Sequence, residues 1–176
     1  MVIFLSWQLT HLAFDYEFEN FFPLDDPELA YYKEFSEKFG NDNDYLLIGL
    51  ENKKGIFQHS FLSKVNELTN DLNNLNETNK VLSITNSKKI VSTPLGLVDI
   101  PRLHLNDPEK KLKDSISLIE DEYYKSTFFS KDQNGLRIIL FHKRIFDNNK
   151  SDEFVFAIDS LVNKYNFDKS HIAGKV

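Results

Sequence analysis

The sequence predicts an α+β domain, and two observations carry that prediction. The order strand, helix, strand occurs twice along the chain, over residues 45–85 and again over 136–176. Each helix in these units has one apolar stripe opposed by a polar face, the pattern of a helix laid on one side of a sheet. Two such units in series are the halves of a split βαβ arrangement. The predicted fold is therefore ferredoxin-like, βαββαβ, with a core at 44–85 and 136–176, a long insertion at about 86–135 and an N-terminal strand–helix arm. A chain of 176 residues containing 16 phenylalanines can bury most of its apolar surface in one domain, here expected over 15–176.

The elements follow in order. Residues 1–14 form an apolar head with neither a basic leader region nor a small-residue cleavage site. Gln8 and His11 interrupt it, and Asp15 and Glu17 follow directly, so it falls short of the roughly 20 apolar residues of a membrane span. Next, Asp26 is a good N-cap, Pro27 suits the first helical position and Glu28 suits the positive end of the helix dipole. Leu29, Tyr32, Phe35 and Phe39 recur at helical spacing before Gly40, which predicts a helix over 27–39.

The run YLLIGL at 45–50 is continuous and apolar, as expected of a central strand buried on both faces. Phe61, Leu62, Val65, Leu68, Leu72 and Leu75 then form a helical stripe, and 81–85 reads as a second strand. Within the insertion, Pro94, Gly96 and Pro101 mark an extended arm with apolar residues facing both ways. Asp107, Pro108 and Glu109 start another helix, expected to pack through Leu112, Ile116, Ile119 and Tyr123 and to end at Phe128 and Phe129. A strand at 136–141 follows. Ser151 opens a helix striped by Phe154, Val155, Ile158, Leu161, Val162 and Tyr165, and a short strand is expected around 171–176.

Charge and composition exclude several functions. The net charge of −6 and the absence of any long basic cluster argue against a nucleic-acid partner, because neutralising phosphates requires a local excess of Lys and Arg. No cysteine is present, which removes disulfide scaffolds, zinc ribbons and thiol catalysis. The 6 glycines form no phosphate-binding loop or dinucleotide fingerprint, so no nucleotide cofactor is expected. No Gly-x-Ser-x-Gly elbow occurs.

His11, His59, His104, His142 and His171 lack the close pairing that places two imidazoles on one metal. His142 in particular reads as the end of a strand entering solvent. Residues 41–44, Asn-Asp-Asn-Asp, offer hard oxygen ligands but lack the glycine and closing glutamate of a calcium loop, so a polar loop is the better account. Glu120, Asp121 and Glu122 are adjacent rather than facing, as on a solvated helix. No catalytic or metal-binding residue is expected. Phe128 and Phe129 are the candidates for contact with an apolar substrate, together with the Phe21–Phe22 doublet and the arm at 93–103, against the simpler reading that they pack the insertion onto the sheet.

Three stretches, DYEFENFFPLDDPELAYYKEFSEKFGNDNDYLLIGLEN, VLSITNSKKIVSTPLGLVDIPRL and the ending HIAGKV, together resemble the first large extracytoplasmic loop of exporters of the RND superfamily, particularly the MMPL-like and hydrophobe-exporter branch. The likeness covers essentially the whole chain and is strongest at the Phe-Phe-Pro corner before Asp25, Asp26 and Pro27. It implies a periplasmic porter domain between the first two membrane helices, with residues 1–14 as the outer end of the first. It implies three partners: the rest of a membrane transporter, the membrane itself, and a hydrophobic small molecule or lipid moved outward by an ion gradient. The coupling residues of that family lie in central membrane helices, to which no position here corresponds. A stand-alone ferredoxin-like module binding a small ligand or a protein is the alternative that the fold also permits.

Overall fold

The computed structural model describes Pro23 and residues 26–39, 45–143, 148–174 and 176. It divides into two compact units, Met1–Asp42 and Asn43–Val176. The apolar head, the Phe21–Phe22 doublet and the 41–44 loop lie outside the described residues.

In the first unit, helix α1 spans Pro27–Phe39, the bounds expected from its end signals. Asp26 Oδ1 accepts from the Glu28 amide at 2.8 Å, satisfying one of the donors that every helix start leaves open. Leu29 is buried, and Tyr31 and Phe35 lie on the exposed side with ring centroids 6.5 Å apart.

The second unit is α+β, built on a four-stranded antiparallel sheet. Its elements are β1 (Tyr45–Glu51), α2 (His59–Asn73), β2 (Thr78–Leu82), β3 (Lys88–Thr93), β4 (Gly96–Pro101), α3 (Pro108–Glu120), α4 (Glu122–Phe128), β5 (Gly135–His142), α5 (Asn148–Lys164) and β6 (Lys169–Gly174). The sheet order is β2-β5-β1-β6, and β3 and β4 form a separate hairpin. Since β5 is antiparallel to both β1 and β2, the strands joined by α2 run parallel with β5 between them. By the same reasoning β5 and β6, joined by α5, run parallel with β1 between them.

Alternation along the strands sets the core. Leu46, Ile48 and Leu50 oppose Leu140, Ile138 and Leu136 in register, and all six are buried on one sheet face. Phe61, Leu62, Val65, Leu68 and Leu72 of α2 and Phe154, Ile158 and Val162 of α5 join the same core. Burying one such side chain is worth about 1.5–3 kcal/mol, so this face is the main source of stability. The other face carries Leu47, Ile139, Phe141 and Leu82, all half-buried. Strand β1 is thus central as expected, but only one of its faces is closed.

Three expectations are corrected. Strand β2 ends at Leu82 rather than Thr85, because the Asn86 side chain takes over the local backbone groups: its Oδ1 accepts from Ser83 N at 2.9 Å and its Nδ2 donates to Val81 O at 2.7 Å. The expected single helix after Asp107 is two. Asp121 ends α3 and caps α4, accepting from Tyr123 N at 3.1 Å and Tyr124 N at 3.4 Å. The buried side of α3 also differs: Ser115 and Leu118 face inward, leaving Leu112 and Ile116 exposed, and Tyr123, now on α4, is exposed as well.

Candidate functional site

Phe128 and Phe129, the substrate candidates of the sequence, are 3% and 6% exposed. Phe128 stacks on Tyr124 at 5.7 Å, while Phe129 meets the edge of Phe57 at 5.6 Å and bridges to Leu136 on β5. These are favourable aromatic geometries. The doublet joins the end of α4 to the sheet, and neither ring presents a face to solvent.

The described histidines are dispersed. His59 starts α2 and His171 lies on the exposed edge strand β6. His142 is buried, contrary to the expected exposed strand end: its Nδ1 donates to Lys143 O at 2.8 Å and its ring meets Phe154 at 5.9 Å. Among the described residues no group of three His, Asp or Glu side chains is placed to hold a metal ion. Within the run Glu120, Asp121 and Glu122, the central carboxylate is committed to capping, and its two neighbours face solvent.

A polar cluster that sequence reasoning missed sits at the root of the hairpin. After β4 the chain alternates, with Leu103 buried and Leu105 half-buried while Arg102 and His104 point the other way. The Arg102 amide donates to Ser87 O at 2.9 Å, closing the hairpin neck. Its Nη1 donates to Asp121 Oδ2 at 3.4 Å, and the guanidinium lies 4.8 Å from the Tyr124 ring centroid, a cation–π distance. Asp114 Oδ2 receives both the His104 amide at 2.9 Å and the His104 ring Nδ1 at 2.8 Å. Two carboxylates from α3 and the α3–α4 junction thus clamp the outgoing strand. Because the partners are ten and nineteen positions apart in the chain, no short spacing announces the clamp.

Beyond the clamp, the hairpin is an apolar projection whose two strands pair with each other. Leu95 at its tip is 100% exposed, and Leu97 and Ile90 are 75% and 70% exposed. On the open face of the main sheet, Arg137 reaches α4 and donates to Thr127 O at 2.8 Å, while Tyr45 and Phe141 approach ring to ring at 6.1 Å. Both features are surfaces that make contacts, with no nucleophile or acid–base pair converging on either among the described residues. No family model matches the chain, and no curated protein matches it.

Proposed function

We propose that this chain is the extracytoplasmic porter domain of an RND-type exporter of hydrophobic or amphiphilic, lipid-like substrates. The observation that carries the reading is the sheet order β2-β5-β1-β6, antiparallel throughout, with one helical crossover inside each half. This is the arrangement expected of a ferredoxin-like subdomain, the fold that the resemblance of the sequence implies. The half-open sheet face, bearing Leu47, Ile139 and Phe141, supports the reading further, since a lipid-like molecule needs an apolar wall.

In this reading the domain works by changing shape and performs no covalent chemistry. A gradient acting on membrane helices elsewhere in the full protein biases an open or a closed porter state, and substrate binds the two with different affinity. No helix among the described residues is long and apolar enough to cross a membrane, so the anchor this reading requires lies outside them.

The test is transport. Cells expressing the intact protein are loaded with a fluorescent lipid analogue and compared with cells from which the gene is deleted. The proposal expects slower efflux on deletion and equal loss of efflux when a protonophore or ionophore collapses the gradient. Identical efflux in both strains would overturn it.

A further inference from the structure

We propose that the β3–β4 hairpin of one copy of this chain docks on the apolar stripe of α3 and α4 of a second copy. The inference rests on side-chain placement and does not depend on the exporter reading. Among the described residues, two apolar surfaces of the same unit have no partner. On the hairpin, Ile90 opposes Asp99 and Ser92 opposes Leu97, so Ile90 and Leu97 share one face, with Leu95 beyond them at the tip. On α3, Leu112 and Ile116 stand one turn apart and are 63% and 50% exposed, and Tyr123 on the separate helix α4 is 63% exposed. The hairpin therefore does not cover the stripe of its own chain. Contiguous apolar surface of this kind marks a contact site in a water-soluble domain.

Charge selects the partner. Lys88 and Asp99 share the hairpin face with Ile90 and Leu97. Glu109, Lys113 and Glu120 border Leu112 and Ile116 at helical spacings of three and four. Among the described residues none of these five side chains makes an ion pair or hydrogen bond within its own chain. A hairpin carrying one cation and one anion thus meets a helix edge carrying anion, cation, anion, which favours pairing between copies and fixes its register. The clamps Arg102–Asp121 and His104–Asp114 hold the hairpin at its root, so less ordering is required on docking.

Sedimentation equilibrium of the 176-residue chain tests the proposal. The expected result is a dimer whose population rises with concentration. Ile90→Asp with Leu97→Asp on the hairpin, and Leu112→Asp with Ile116→Asp on the stripe, should each weaken association at least tenfold while leaving thermal melting unchanged. Mixing the two double variants should restore a complex, because an intact hairpin then meets an intact stripe. As a milder pair, Asp99→Lys should weaken the dimer and an added Lys113→Asp should recover it. A chain that stays monomeric at every concentration would overturn the proposal. Stripe variants that dimerise normally would also overturn it, showing hairpin pairing with hairpin. So would a monomer that binds phosphatidylcholine–phosphatidylglycerol vesicles through Ile90 and Leu97.

Discussion

Replacing Gly174 with alanine should loosen the outer edge of the sheet by a calculable amount. Gly174 closes β6, opposite Leu46 of β1, with φ at +133°, a conformation that side chains rarely adopt. A methyl group there would lie 2.6 Å from Tyr45 O, 2.9 Å from Leu46 Cδ2 and 3.1 Å from Leu46 Cα. Two of these three neighbours are backbone atoms of a central strand and cannot swing aside. The backbone conformation costs about 1–3 kcal/mol for a non-glycine residue, and forcing an extra carbon into a packed site costs about 1–3 kcal/mol.

The chain has a cheaper escape. Gly174 is the last residue of its strand, so releasing the final rung costs about 0.5–1.5 kcal/mol per hydrogen bond. The smaller route wins, and with about two hydrogen bonds lost from an antiparallel rung the net loss should be about 2 kcal/mol. Urea unfolding followed by circular dichroism measures it directly, and a Tm lowered by about 4–8 °C is the thermal equivalent for a domain of this size. Gly55 separates the two causes: its φ is +92°, yet a methyl group there meets nothing within 4 Å. Gly55→Ala should therefore cost only the backbone part, about 1 kcal/mol. If Gly174→Ala melts with the parent protein, or costs no more than Gly55→Ala, the steric reasoning is refuted.

Three further outcomes are expected. Phe128→Ala removes a ring stacked in the core and should cost about 3–5 kcal/mol in denaturant unfolding; an unchanged midpoint would show that the ring is not structural. Asp121→Ala deletes the cap of α4 and the partner of Arg102, and should lose about 1–3 kcal/mol with faster amide exchange across 88–101. Asp71 accepts from Lys164 Nζ at 2.9 Å and Tyr165 Oη at 2.7 Å, and these bonds, Lys164 first, hold its carboxyl below the usual carboxylate range. A depressed folded pKa means stability that is present above about pH 3.9 and lost as pH falls through the folded value. Asp71→Asn should accordingly be less stable by about 0.5–1 kcal/mol at neutral pH, as expected for a partly exposed pair. Melting curves of the two proteins should converge in acid, and a gap that persists there would contradict the assignment.

Much of the framework was legible because it is local. The stripe Phe61, Leu62, Val65, Leu68 and Leu72 has one apolar side, so α2 had one way to face, and all five residues are buried. Asp26, Pro27 and Glu28 set the start of α1 within the chain itself. Helix α3 was misread because it offers two apolar sides, Leu112 with Ile116 and Leu118 with Ile119. The choice between them is made by Asp114 gripping His104 across a turn of chain, a contact that periodicity does not encode. His142 was misread for a similar reason: the basic residues beside it suggest solvent, while Phe154 on a later helix encloses it. Phe128 and Phe129 read in the sequence as candidates for substrate contact or, more simply, as packing onto the sheet, and the surface that Phe129 meets is set in part by Phe57, which is distant in sequence.

The central claim, that the domain works on the outer side of a membrane, is tested most directly by thiol labelling in living cells. These 176 residues contain no cysteine, so once any cysteine elsewhere in the intact protein is replaced, a single one introduced at the exposed loop residue Lys131 reports unambiguously. If the domain is extracytoplasmic, Lys131→Cys in the intact protein should react with a membrane-impermeant maleimide in whole cells as fully as after lysis. Protection in whole cells, with labelling only after lysis, would place the domain in the cytoplasm and contradict the account.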